Sequence, residues 1–208
     1  MSNHCADNAA DRELGKFWEK RFCLLAAGFE LSFTPMQIGR SDSAAAYSRP
    51  SNKWNIHTLP DITVWTYPGQ HHEIKHKNPT KHGTFGLEVY RLDALIWFAN
   101  ETQQDVMYTI HNHDLSGGRN GKENKPEHWF TVNVLDLVGN EAHQGEHTDS
   151  YVNGKPKARS IYYWKTSLWI PLVEYWQEVA GKQKERIEDK PTVIIPQEQR
   201  QAALPHIF

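Results

Sequence analysis

The stretch PDITVWTYPGQHHEIKHK, residues 60–77, decides the fold. Its first half is β-branched and aromatic, PGQ is typical of a turn, and HHEIKHK continues as a second strand, so the stretch predicts a hairpin. Side chains two apart on a strand point to the same face. Glu73 and Lys75 therefore share a face, while Ile74 points to the other, and the turn is expected to bring Asp61 near Glu73.

These residues predict a hydrolytic metal site. Two converging carboxylates, from Asp61 and Glu73, form a hard, oxygen-rich anionic site that suits Mg²⁺, and the backbone carbonyl of Ile74 is expected to add a ligand. Mg²⁺ lowers the pKa of a bound water and neutralises charge on a phosphate oxygen. Lys75 beside it would position that water and stabilise the developing negative charge. This is the chemistry of phosphodiester hydrolysis.

The same residues resemble the PD-(D/E)XK nuclease superfamily, which has the restriction-endonuclease-like fold. In that superfamily an Asp follows a Pro, and an acidic residue, one spacer and a Lys come later on the paired strand. The resemblance implies that Asp61 and Glu73 bind Mg²⁺ or Mn²⁺ and that Lys75 is the catalytic lysine. It implies a metal-dependent deoxyribonuclease of DNA repair, recombination, restriction or phage DNA processing, and we favour an endonuclease over an exonuclease.

Families of this group often add a Glu from the helix before the hairpin. Residues 11–27 have apolar side chains at helical spacing, and Gly28 is suited to a C-cap. Within this helix Glu19 lies at the edge of the apolar stripe, where a side chain can reach inward. Glu19 is therefore expected to assist catalysis, with Glu13 at the other edge of the stripe as the alternative.

The rest of the chain supplies further elements. Residues 84–102 predict the strongest amphipathic helix, residues 105–113 a strand, and residues 128–138 another strand. Residues 139–160 fit no element clearly, and residues 160–179 are apolar and aromatic enough for either a helix or a strand.

This order predicts an α/β protein with a restriction-endonuclease-like core, a mixed central sheet flanked by helices, and a C-terminal extension. We expect a disordered N-terminal tail at 1–10, one nuclease domain at 11–180 and a C-terminal tail at 181–208.

Composition limits the possible partners and compartment. The chain has 208 residues and a formal charge of −2, so affinity for DNA would have to come from a local patch. Mean hydropathy is −0.70, and no run of eighteen apolar residues predicts a membrane span. Two cysteines suit a reducing compartment, and the start of the chain lacks the apolar stretch of a secretory signal. A cytoplasmic or nucleoid-associated protein is expected.

Basic and polar residues near the hairpin are candidates for DNA binding. Lys77 and Lys81 would form a rim that follows phosphates. In similar nucleases the next helix can lend a polar side chain to the scissile phosphate, and Tyr90 and Arg91 are placed for that. The alternative for Arg91 is a surface ion pair with Glu88, three residues earlier.

Two alternatives belong to other classes. HQGEH, residues 143–147, has the H-x-x-E-H form of inverted zinc peptidases, in which His143 and His147 would face one zinc from a helix. Glycines within and around it predict a loop, so a zinc metallopeptidase is less favoured. A catalytically inactive nuclease fold that only binds DNA is the other alternative, which the intact Asp61, Glu73 and Lys75 argue against.

Two further segments are left open. His111 and His113, in HNHD at 111–114, share a strand face and would bind a transition metal, contact DNA or make ordinary hydrogen bonds. The C-terminal QAALPHIF resembles the peptides by which replication and repair proteins bind a sliding clamp. That resemblance rests on Gln201, Leu204, Ile207 and Phe208, and the alternative is packing on the chain's own domain. A homodimer is equally open.

Overall fold

The computed structural model describes residues 4–35, 60–66, 69–118, 121–152 and 155–188. Within these ranges no helix combines the length and the hydropathy needed to cross a membrane.

These ranges contain both helices and strands. The helices are α1 (His4–Gly28), α2 (Val89–Thr102), α3 (Val134–Leu137) and α4 (Leu172–Glu188). The strands are β1 (Ser32–Pro35), β2 (Ile62–Trp65), β3 (Gln70–Lys77), β4 (Thr84–Glu88), β5 (Asp105–Asn112), β6 (Trp129–Asn133), β7 (His143–Val152), β8 (Lys155–Lys165) and β9 (Ile170–Pro171).

The central sheet has the strand order β1-β2-β3-β5-β6-β9. β2 and β3 pair antiparallel, which confirms the predicted hairpin, and Ile62 lies opposite His72. β3 and β5 pair in parallel, and the connection between them contains α2, as a parallel pair requires. The predicted α/β fold with a mixed central sheet flanked by helices is confirmed.

Each face of the central sheet is covered by different elements. On the α1 face, α1 and α4 pack on the sheet, and the core contains Trp18, Phe22, Ile62, Val64, Ile74, Trp129 and Trp176. On the α2 face, α2, α3 and a second sheet of order β4-β8-β7 cover the strands, and the core contains Leu87, Leu95, Tyr108, Ile110, Val134 and Trp164. Successive side chains of β3 therefore point into two different cores.

The first five residues of the predicted 84–102 helix form a strand instead. β4 pairs antiparallel with β8, with Gly86 opposite Tyr163. A Cβ atom on Gly86 would lie 2.8 Å from the Tyr163 ring, so this position requires glycine. Phe85 and Leu87 alternate into the core, a period-2 pattern that the longer helical stripe conceals in the sequence.

Two other segments also differ from the expectation from sequence. The predicted strand at 128–138 ends at Asn133, whose side chain accepts a hydrogen bond from the Leu135 N–H and caps α3. The unassigned residues 139–160 contain β7 and the start of β8.

The predicted tails at 1–10 and 181–208 are partly helical. α1 begins at His4, because the segment before residue 11 contains alanines and no glycine or proline to interrupt a helix. α4 continues to Glu188, past the predicted start of the C-terminal tail at 181, and its buried residues Leu172 and Trp176 lie before that boundary.

Candidate active site

Asp61 and Glu73 meet where β2 begins beside β3. The Asp61 N–H donates to the His72 carbonyl at 2.9 Å, and the Ile74 N–H donates to Asp61 Oδ2 at 2.8 Å. Asp61 is 2% exposed and Glu73 is fully buried. The strand pairing that the sequence predicts thus brings the two carboxylates together in the interior.

Two cations neutralise Glu73. Lys75 Nζ lies 2.5 Å from Glu73 Oε1. Arg91, on α2, donates from Nε to the same oxygen at 3.0 Å and from Nη2 to Oε2. The guanidinium therefore holds both oxygens of the carboxylate, which is the geometry of a strong Arg–carboxylate pair.

Burial and charge act in opposite directions on these groups. Burial alone would raise the pKa of Glu73, but Lys75 and Arg91 outweigh it and lower that pKa to about 2. Burial alone would lower the pKa of Lys75, but the charges of Glu73 and Asp61 raise it above its usual value. Lys75 is therefore a permanent cation at neutral pH, and its side chain is one-third exposed to solvent.

The surroundings of Asp61 disfavour its ionised form. Burial, followed by the charge of Glu73, raises its pKa from 3.8 to about 6, while Lys75 and the Ile74 N–H oppose the shift. A carboxylate that burial and a neighbouring anion disfavour gains most from an added cation.

Glu19 lies on α1 and is partly buried. The charge of Glu19 contributes to the raised pKa of Asp61, so the two carboxylates interact electrostatically. The alternative acid, Glu13, is exposed and lies 3.3 Å from Lys16. This arrangement favours Glu19 over Glu13 as the assisting acid, although that role stays a prediction.

The donor set fits a hard divalent cation. Asp61 and Glu73 supply carboxylate oxygens, and the Ile74 carbonyl is the predicted third donor. Among the described residues, no three His, Cys, Asp or Glu side chains are grouped closely enough to form a metal cluster. A metal held here would therefore rely on two carboxylates and complete its shell with waters, as Mg²⁺ does in proteins.

The predicted DNA-binding residues fall into two groups. Lys81 and Tyr90 are exposed, in agreement with a surface role. Arg91 is only 7% exposed and pairs with Glu73, which corrects both its predicted contact with the scissile phosphate and the alternative surface pair with Glu88. Lys77 donates to the Gly86 carbonyl at 2.7 Å, and burial lowers its pKa, so its ammonium joins β3 to β4 rather than facing phosphates.

The zinc-peptidase alternative is wrong. His143 and His147 lie on β7, a strand, where residues four apart are about 13 Å from each other and cannot share one zinc. The His143 ring stacks on Tyr163 with centroids 4.6 Å apart. The segment is also not the loop that its glycines predict, because β7 pairs with β8 along most of its length.

A histidine–aromatic stack on the α1 face contains His111, which the HNHD segment had singled out, but its partners Trp18 and His76 were not predicted. The Trp18 ring stacks on His111 and His76, with centroids 3.6 Å and 4.6 Å away. The Nδ1 atoms of the two histidines are 3.0 Å apart. His111 is buried, in keeping with a packed, hydrogen-bonded role rather than direct contact with DNA. Only the pairing of β3 with β5 reveals this stack, since it joins distant segments.

The proposed clamp-binding residues Gln201, Leu204, Ile207 and Phe208 lie outside the described residues. Clamp binding therefore stays a prediction from sequence.

Comparisons with known proteins find similarity among solved structures. No protein-family model and no curated protein matches the chain. Among solved structures, the chain is similar to Hjc, a Holliday junction resolvase from Archaeoglobus fulgidus, with 10% sequence identity and a TM-score of 0.43. The similarity covers 78% of this chain and 95% of that chain.

Proposed function

We propose that the chain is a Mg²⁺- or Mn²⁺-dependent nuclease that hydrolyses DNA phosphodiester bonds, acting as an endonuclease. The observation that supports it best is the convergence of Asp61, Glu73 and Lys75 on two paired strands, with Lys75 Nζ 2.5 Å from Glu73 Oε1. Packing alone does not account for three further charged side chains, Asp61, Lys75 and Arg91, gathered around the buried Glu73, because buried charges are costly to desolvate.

Each residue has a distinct role in this proposal. Asp61, Glu73 and the Ile74 carbonyl would hold the metal, which supplies an activated water and neutralises phosphate charge. Lys75 keeps its proton, since its pKa is raised, so it acts through its charge on the developing anion rather than as a general base. Its partial exposure lets the ammonium face a substrate. Glu19 would assist from α1.

The DNA surface is proposed from the exposed residues beside the site. Lys81 follows β3 in the chain, and Tyr90 lies in the first turn of α2. Lys81 would bind backbone phosphate, so its loss should weaken binding to all sequences alike. A homodimer and a sliding-clamp partner remain predictions from sequence.

A DNA-binding module without activity is the second candidate. The observation that favours it is the pairing of Glu73 with Arg91, because this pair neutralises the carboxylate without any metal. Such a module would bind DNA and leave it intact.

Cleavage assays separate the two candidates. Labelled linear, circular, single-stranded and branched DNAs, with RNA as a comparison, are incubated with the protein and Mg²⁺, Mn²⁺ or EDTA. We expect cleavage that requires metal, is lost in Asp61→Asn, and persists in Asp93→Asn, a matched change at an exposed position of α2. Binding without cleavage under all metal conditions would favour the inactive module. Cleavage that survives Asp61→Asn would contradict the assigned site.

A further inference from the structure

Arg91 occupies an unusual position for a cation. It lies in the first turn of α2, which begins at Val89 and has no acidic residue in that turn. The partial positive charge at a helix N-terminus disfavours a cation there. Arg91 is also almost completely buried, so its position depends on the charge of Glu73.

The charges around Glu73 balance without a metal. Asp61 and Glu73 are two buried anions, and Lys75 and Arg91 are two cations that both contact Glu73. A divalent ion would add two further positive charges within a few ångströms of the guanidinium. Such an ion would hold its ligand oxygens at about 2.0–2.1 Å, closer than any hydrogen bond. It would therefore need lone pairs of the Glu73 carboxylate that now accept hydrogen bonds from Arg91.

We propose that Arg91 is an internal competitor of the metal: its guanidinium holds Glu73 when no metal is bound and is displaced from at least one carboxylate oxygen when a divalent cation binds. This inference rests on the proposed function, because it assumes that Glu73 is a metal ligand. The guanidinium keeps the buried carboxylate paired between metal-bound states, and metal affinity is lower than the two carboxylates alone would give.

Mn²⁺ binding to the full chain tests the competition directly, by electron paramagnetic resonance of free Mn²⁺ and by calorimetry without DNA. Arg91→Met removes the guanidinium and should tighten Mn²⁺ binding by about tenfold or more. Arg91→Lys keeps a cation but loses the two-pronged geometry, so it should tighten binding by less. Arg21→Met is the matched control, since the Arg21 guanidinium lies over the Phe17 ring, 5.0 Å from its centroid, and should leave Mn²⁺ affinity unchanged.

Thermal unfolding with and without Mn²⁺ guards against a folding defect. Arg91→Met should melt lower than the wild type without metal and show a larger rise in Tm when Mn²⁺ is added, since at a given concentration a ligand stabilises the folded state more when it binds more tightly. If Arg91→Met does not fold and Arg91→Lys folds as the wild type does, the Mn²⁺ affinity of Arg91→Lys tests whether the guanidinium competes with the metal.

The outcomes are distinguishable. Equal or weaker Mn²⁺ binding by Arg91→Met and Arg91→Lys, with clear binding by the wild type, would overturn the competition and leave the proposed function standing. If neither the wild type nor any Arg91 variant binds Mn²⁺, or if binding persists in Glu73→Gln, the metal site itself is wrong and the competition falls with it.

Discussion

Two neighbouring residues of β3, Glu73 and His72, point to opposite faces and respond to burial in opposite ways. On the charged face, Glu73 stays ionised beside Lys75 and Arg91. On the neutral face, burial lowers the pKa of His72 to about 3, so that ring is uncharged at neutral pH. Alternate residues of one strand thus show both solutions to the cost of burying a titratable group: pairing the charge or giving it up. Only the paired solution concentrates the charge that phosphate chemistry needs.

Removing the Glu73 carboxylate should have the largest effect on the free energy of unfolding. Glu73→Ala leaves Arg91 and Lys75 without their shared anion, and breaking a buried pair in this way costs about 3–5 kcal/mol. Urea denaturation at pH 7 measures the loss. Glu101→Ala, an exposed change on α2, is the control and should have little effect. A loss below about 1 kcal/mol for Glu73→Ala would show that the charged face does not depend on this carboxylate.

Removing the charge of Lys75 should affect catalysis more than binding. Lys75→Met is expected to lower the rate of DNA cleavage by about 10²–10³-fold, as the loss of one electrostatic contact to a developing anion does. Single-turnover rates at saturating DNA isolate the chemical step. Lys81→Met, at an exposed position, should change DNA affinity instead. A cleavage rate that is unchanged in Lys75→Met would remove the lysine from the mechanism.

The contribution of Asp61 to the free energy of unfolding should depend on pH. Because its folded pKa is raised to about 6 from 3.8, the folded state gains from this group below pH 3.8 and loses that gain as pH rises to 6. Asp61→Asn should therefore be more stable than the wild type above pH 6 without metal, by up to about 3 kcal/mol, and the difference should shrink toward pH 4. Denaturation curves across this range test it, and an advantage that does not depend on pH would contradict the assigned shift.

His72 should change the free energy of unfolding with pH in the direction opposite to Asp61. The pKa of His72 falls from 6.5 to about 3 on folding, so stability present above pH 6.5 is lost as pH falls below it. His72→Gln should remove about 2 kcal/mol of the stability difference between pH 6.5 and pH 5. The slope of unfolding free energy against pH is the measurement, since it does not depend on the cost of the substitution itself. An identical slope in both proteins would show that His72 is not buried uncharged.

Local patterns were enough to predict part of this structure. The hairpin follows from β-branched strands around a turn, and the shared face of Glu73 and Lys75 follows from strand alternation. β4 was missed because its apolar residues also fit the helical stripe of α2 and its partner, β8, lies far along the chain.

Features that depend on packing could not be predicted in this way. The pair of Arg91 with Glu73 needs α2 to dock on β3, and the stack of Trp18 on His111 needs α1 to dock on β5. One physical signal was available: two carboxylates destined for burial require two cations, and Lys75 supplies only one. Counting charges in this way would have directed attention to Arg91.

Anomalous diffraction from crystals grown with Mn²⁺ would locate the metal relative to Asp61, Glu73 and Arg91. We expect an anomalous peak for one Mn²⁺ ion that oxygens of both Asp61 and Glu73 coordinate. The Arg91 guanidinium should have moved away from at least one Glu73 oxygen. The contradicting result is DNA cleavage by the same protein in Mn²⁺ while the crystals show the ion elsewhere and Glu73 still held by Arg91.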